Sequence, residues 1–171
     1  YKTRPQGDLY KYQPLYTNPT IAKNNQITAN SIHQGMLQMN DGGCYYNLSA
    51  SATTFTENYC NASGSGLSGS YFGMYADEGS AYITVTKNVF ASFGALATAN
   101  ANANNNTGHI TFTNNWVSSS SPNPGLNGSG NTVSGNISIN GTQISGFPAD
   151  AQTVANAAGL ETAYADLKTN P

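Results

Sequence analysis

Charge is what this sequence has least of. Only 8% of its 171 residues are ionised side chains, against about 25% in an average soluble domain. Six Lys and Arg against eight Asp and Glu leave a net charge of −2. No basic stripe exists to displace counterions from a phosphate backbone, so nucleic-acid binding is excluded as a main function. No apolar run reaches the roughly 18 residues that a membrane-spanning helix needs. Cysteine is nearly absent too. Cys44 and Cys60 stand alone, without the histidine partners of a zinc site. No phosphate-binding loop, dinucleotide fingerprint or nucleophile elbow occurs.

Amides, hydroxyls and glycine supply the polarity instead: the chain holds 23 Asn and 18 Gly. Six Asn-x-Ser/Thr acceptors, at Asn47, Asn61, Asn105, Asn127, Asn136 and Asn140, point to passage through a secretory pathway. In a secreted, extracellular chain two cysteines predict one disulfide, Cys44 to Cys60; two buried thiols are the alternative.

Self-similarity then organises the chain. The segments ITANSIH (27–33), TFTENYC (54–60), ITVTKNVF (83–90), ITFTNNWV (110–117) and NTVSGNISI (131–139) share one pattern. Apolar or β-branched residues alternate with Thr or Ser, reach an Asn, and continue apolar. Alternation is strand periodicity. Aligned on Asn30, Asn58, Asn88, Asn115 and Asn136, the repeats leave no room for helices between them. A period in the twenties is that of one turn of a parallel β-solenoid. Asn tolerates left-handed backbone at a corner, and stacked corners would form a ladder of side-chain amides.

A second element recurs in GGCYYNL (42–48), FGMYADE (72–78) and FGALATA (93–99). Aligned on Gly43, Gly73 and Gly94, it predicts Cys44, Met74 and Ala95 facing inward, and Tyr45, Tyr75 and Leu96 outward. Asn47, Asp77 and Thr98 follow on the outer face two residues on. Asp41 sits just before its strand, in the turn NDGG. Residues 1–20 read as an extended arm or the remnant of an earlier turn of the solenoid, 21–147 as the solenoid, and 148–171 as a C-terminal helical cap and tail. Pro148 suits a first helical turn, Asp150 the positive helix end, and Gly159 a break.

LQMNDGGCYYNL resembles the N-D-G-G-(A/C)-(I/Y)-Y strand of secreted right-handed parallel β-helix carbohydrate enzymes. YADEGSAYITVTKNV is similar to their Y-x-D-E-G-S coil, and AAGLETAYADL to their C-terminal tail. The likeness runs over about residues 21–168. It implies an all-β, right-handed parallel β-helix of about four to five coils, and a glycoside hydrolase of the group that includes α-L-fucosidases and xylanases. In such enzymes two acids from neighbouring coils flank the scissile bond. Carried over, the candidate catalytic residues are Asp41, Asp77 and Glu78. Such enzymes run to several hundred residues, so an N-terminal polypeptide of the same precursor is expected to complete the groove.

For substrate binding the candidates are Tyr45, Tyr75, Asn47 and His33, against a polysaccharide or oligosaccharide. Trp116 reads equally as core or sugar platform. Glu78 follows Asp77 and is either a second catalytic acid or a turn residue. No cofactor is expected. A polysaccharide lyase on the same fold would need a cation, calcium held by Asp41, Asp77 and Glu78 or a basic side chain, and only Lys87 lies near. A non-catalytic carbohydrate-binding or structural solenoid is the third reading.

Overall fold

The structure is a computed structural model that describes residues 23–35, 41–63, 71–93, 95–101 and 107–168. Its strands are β1 (Gln26–Thr28), β2 (Ser31–His33), β3 (Gly42–Asn47), β4 (Thr54–Thr56), β5 (Tyr59–Asn61), β6 (Tyr71–Ala76), β7 (Thr84–Thr86), β8 (Val89–Ala91), β9 (Ala95–Ala99), β10 (Thr111–Thr113), β11 (Trp116–Val117), β12 (Thr132–Ser134) and β13 (Ile137–Ser138). They form three sheets, ordered β1-β4-β7-β10-β12, β2-β5-β8-β11-β13 and β3-β6-β9. Every strand pair is parallel. The protein is therefore all-β and solenoid-like, with one α-helix, α1 (Ala149–Ala157).

Strands of two or three residues are too short to be stable singly; stacking in register holds them. In the first sheet Ile27, Phe55, Val85, Phe112 and Val133 form one line. In the second, Ile32, Cys60 and Phe90 do the same, with Val117 beside Phe90. These lines face one shared core, which the third sheet closes with Tyr45, Met74, Ala76, Leu96 and Ala99. Phe90 stacks between Phe55 and Phe112, with ring centroids 6.3 and 6.0 Å away.

Between the first and second sheets the chain turns a corner, and there the amide ladder forms. Asn58 Oδ1 accepts from the Asn30 backbone N–H at 2.9 Å, Asn88 Oδ1 from Asn58 at 3.0 Å, Asn115 Oδ1 from Asn88 at 3.0 Å, and Asn136 Oδ1 from Asn115 at 2.9 Å. The ladder uses the asparagines and the separations of 28, 30, 27 and 21 residues that the alignment requires. The left-handed residue is another one, however. It is the residue before each ladder asparagine: Ala29 (φ 56°), Glu57 (56°), Lys87 (55°), Asn114 (56°) and Gly135 (68°). Such a backbone costs a non-glycine residue roughly 1–2 kcal/mol. The asparagine side chain compensates by satisfying backbone groups of its own and the neighbouring repeats. Asn88 Nδ2, for example, donates to Phe55 O at 2.9 Å and to Thr86 O at 3.0 Å.

Helix α1 covers a side of the stack rather than its end. Ala151, Ala155 and Ala158 pack with Phe147 and Ile139 against Tyr59, Val89 and Ala91 on the outer face of the second sheet. The small alanine side chains let the helix lie close. Trp116 and Val154, both half-buried, pack against the same cluster on the outer face of the second sheet. Gly159 (φ 104°) then ends the helical segment, and its N–H donates to Ala29 O at 2.7 Å, in the first repeat. The helix runs from the last repeat toward the first, over the apolar outer face of the second sheet. Leu160, just past the helix, is exposed.

Candidate active site

Cys44 and Cys60 are bonded, tying β3 to β5. This sets the third sheet. Cys44 is drawn against the core, and the next residue, Tyr45, is also buried, 4% exposed and stacked on Phe55 at 4.9 Å. Two consecutive residues facing inward break the alternation. The observed register pairs Tyr45 with Met74, Tyr46 with Tyr75 and Asn47 with Ala76, and then Met74 with Ala97 and Tyr75 with Thr98. The alignment on Gly43 and Gly73 is therefore one residue out, and a slip of one exchanges the faces. Gly94 lies outside the described residues.

Three expectations change with it. Tyr45 is a core residue, and burial raises its phenol to about 12, with the Thr53 hydroxyl pulling weakly the other way. Asn47 is buried: its Nδ2 donates to Ser80 Oγ at 2.6 Å and Ala50 O at 3.0 Å, which leaves neither a sugar contact nor room for a glycan. The expected outer row of Asn47, Asp77 and Thr98 is replaced by Tyr46, Tyr75 and Thr98.

Tyr46 and Tyr75 carry the outer face. Tyr46 is 41% exposed, and its ring meets that of Tyr75 edge-on at 5.2 Å. Phe72 extends the row, edge-on to Tyr75 at 5.3 Å. Each tyrosine has a carboxylate at its hydroxyl. Tyr46 Oη donates to Asp77 Oδ2 at 2.5 Å. The Asp41 carboxylate lies beside the Tyr75 hydroxyl, and Asp41 itself is solvent-exposed with φ 71°. Partial burial, then the Asp77 hydrogen bond and the charges of Asp77 and Asp41, hold the Tyr46 phenol well above its ordinary range. Burial and the charges of Asp77 and Asp41 raise Tyr75 to about 12. Both phenols are donors at neutral pH.

Asp77 is nearly enclosed, at 8% exposure. Beyond Tyr46 it accepts from the Glu78 N–H and from Asn100 Nδ2, both at 2.9 Å on Oδ1. It opens a turn in which Ser80 N–H donates to Asp77 O at 3.0 Å and Gly79 adopts φ 75°. Glu78 sits at the second position of that turn, where its carbonyl accepts from Ser49 N–H at 3.0 Å and Ser49 Oγ at 2.9 Å. Among the described residues no three Asp, Glu, His or Cys side chains converge as a metal-ligand set.

So the structure brings Asp41, Asp77 and Tyr75 together. His33 is elsewhere: on the second sheet it bonds Ser31 Oγ at 2.7 Å and meets Tyr59 edge-on at 5.4 Å. Sequence reasoning missed Tyr46, Phe72 and Asn100. The available signal was Cys44: a half-cystine reaching into the core forces the following pair of tyrosines to be read again. Of the glycan acceptors, Asn136 is buried in the ladder, so a glycan there is excluded on the same ground as at Asn47. Asn61 is half-buried and bonded to the Tyr59 hydroxyl at 2.9 Å, Asn127 and Asn140 are exposed, and Asn105 lies outside the described residues.

No family model matches the chain, and no curated protein or solved structure is significantly similar to it.

Proposed function

We propose that the chain is a right-handed parallel β-helix of four to five coils, and that the outer face of its third sheet is the site of a secreted glycoside hydrolase. One observation carries this reading. Tyr46 and Tyr75, in register on adjacent strands, form with Phe72 an aromatic ledge in which Tyr46 is exposed and the other two rings are half-buried, and each tyrosine holds a carboxylate. Aromatic faces are large apolar surfaces with a polar handle, which suits the alternating apolar and hydroxyl faces of a sugar ring. Hydrolysis of a glycoside needs one carboxyl to protonate the leaving oxygen and a second to attack the sugar or activate water. Asp41, exposed beside the Tyr75 hydroxyl, takes the first role. Asp77, fixed by Tyr46, Asn100 and the Glu78 N–H, takes the second. Secretion fits the disulfide and the exposed acceptors Asn127 and Asn140.

A non-catalytic, carbohydrate-binding surface is the second reading, favoured by the three donors already occupying Asp77. Reducing-end release from a panel of neutral polysaccharides separates the two. The hydrolase reading expects release by the wild type, and a loss of at least about a hundredfold in Asp41→Asn and in Asp77→Asn, with retention in affinity gels preserved. Retention without release selects the binding surface. Neither retention nor release on any glycan removes the carbohydrate reading.

A further inference from the structure

The outward face of the first sheet carries a pattern that neither the core nor the tyrosine ledge uses. Strands β4, β7 and β10 read Thr-Phe-Thr, Thr-Val-Thr and Thr-Phe-Thr. The central residue of each is buried and its two threonines are half-exposed. Register aligns Thr54, Thr84 and Thr111 in one row and Thr56, Thr86 and Thr113 in a second. The flanking strands extend both rows with Gln26 and Thr28 on one side and Thr132 and Ser134 on the other. None of the ten outward positions is charged. The six central hydroxyls have no protein hydrogen-bond partner among the described residues.

Such a face is a two-dimensional grid. Parallel strands repeat at about 4.8 Å along the stack, and residues two apart on a strand at about 6.6 Å. Threonine is stiff at χ1, so the grid is set before anything binds. A grid fits a partner that repeats in both directions. In tetrahedral water with O–H···O of about 2.75 Å, second-neighbour oxygens lie at about 4.5 Å and the hexagonal axis repeats at about 7.3 Å. The two grids agree to within about 10% in each direction. A neutral face complements a neutral lattice, because charged side chains would hold water in competing orientations. Hydroxyls can replace lattice waters, and the adjoining methyl groups lose exposure to liquid water on contact.

We propose that the threonine face of the first sheet binds the surface of ice. This is independent of the tyrosine ledge, which lies on another sheet.

The test is the gap between melting and freezing temperatures, and the shape of a single ice crystal, in solutions of the full chain at millimolar concentration. The wild type is expected to open such a gap and facet the crystal. Thr86→Tyr, at the centre of the grid, is expected to shrink the gap at least fivefold with circular dichroism and melting temperature unchanged. Thr132→Tyr, at an exposed edge position where the fold tolerates bulk, is expected to shrink it less. Asn127→Ala, in an exposed loop, should leave it intact. Round crystals with no gap for the wild type overturn the proposal, as does a gap that survives both tyrosine variants. Co-sedimentation with insoluble cellulose, or dimerisation, that Thr86→Tyr abolishes in the absence of any ice effect assigns the face to a polysaccharide solid or a second copy, and also overturns it.

Discussion

Tyr45 and Tyr46 are adjacent, and everything about their chemistry differs. Tyr45 is enclosed against Phe55 and has its phenol raised by burial to about 12. Tyr46 is exposed along its ring and donates to Asp77. One part of the alkaline behaviour of the fold follows from the first. Unfolded tyrosine ionises near 10, so between pH 10 and 12 the folded state retains a proton that the unfolded state releases. Stability from Tyr45 is complete below pH 10 and falls as pH rises through about 12. At about 1.4 kcal/mol per pKa unit, the loss is on the order of 2–3 kcal/mol. Urea midpoints are expected to drop over that window, and less steeply in Tyr45→Phe. Equal slopes for the two proteins would contradict this assignment.

At the scale of the element, the Cys44–Cys60 bridge joins two strands of different sheets across a sequence separation of 16 residues. It anchors the residue before Tyr45 against the core, so it links stability to the ledge. A loop of that size is worth about 3 kcal/mol of denatured-state entropy when closed. Reduction is expected to lower the unfolding free energy in urea by about that amount. It is also expected to shift Tyr46 fluorescence and ionisation toward those of a free phenol, as Cys44 loosens and the third sheet loses its register. A reduced protein with unchanged urea midpoint would show that packing alone holds β3.

The whole molecule is a stack in which each repeat lends polar groups to the next. Asn88 lies at the centre of the ladder, fully buried, and satisfies backbone groups of three neighbouring strands or corners. Asn88→Ala strands those groups without partners, at about 1–3 kcal/mol for each left unsatisfied, so a total loss of about 3 kcal/mol or more is expected. Asn30 is exposed at the ladder's first position, and its backbone N–H bond to Asn58 survives truncation. Asn30→Ala is expected to cost under about 1 kcal/mol. Chemical denaturation of both variants measures the gradient; equal losses would argue against an additive ladder. Helix α1 works at the same scale, spanning from Ile139 in the last repeat to Ala29 in the first.

How much of this was written in the sequence differs from one part to the next. Strand periodicity, the five ladder asparagines and their spacing were legible because alternation and amide capping are local rules that recur in every repeat. Asp41, Asp77 and Tyr75 could be singled out by residue type and by the resemblance their segments carry, but the contacts among them could not. The left-handed corner residues were misplaced by one, since φ belongs to the backbone and a side chain such as that of Ala29 or Lys87 gives no sign of it. The face of Tyr45 and the burial of Asn47 depended on register in the third sheet, where a half-cystine reaches into the core. The place of α1 depended on which surface remained apolar after the sheets had stacked, a property of the assembled rows of Tyr59, Val89 and Ala91 and of no single segment. The sequence alone thus determined the repeating strands and their amide seam, by short-range pattern. Tertiary structure alone decided which residues face the solvent on the third sheet and what the helix covers, because both are set by contacts between residues tens of positions apart.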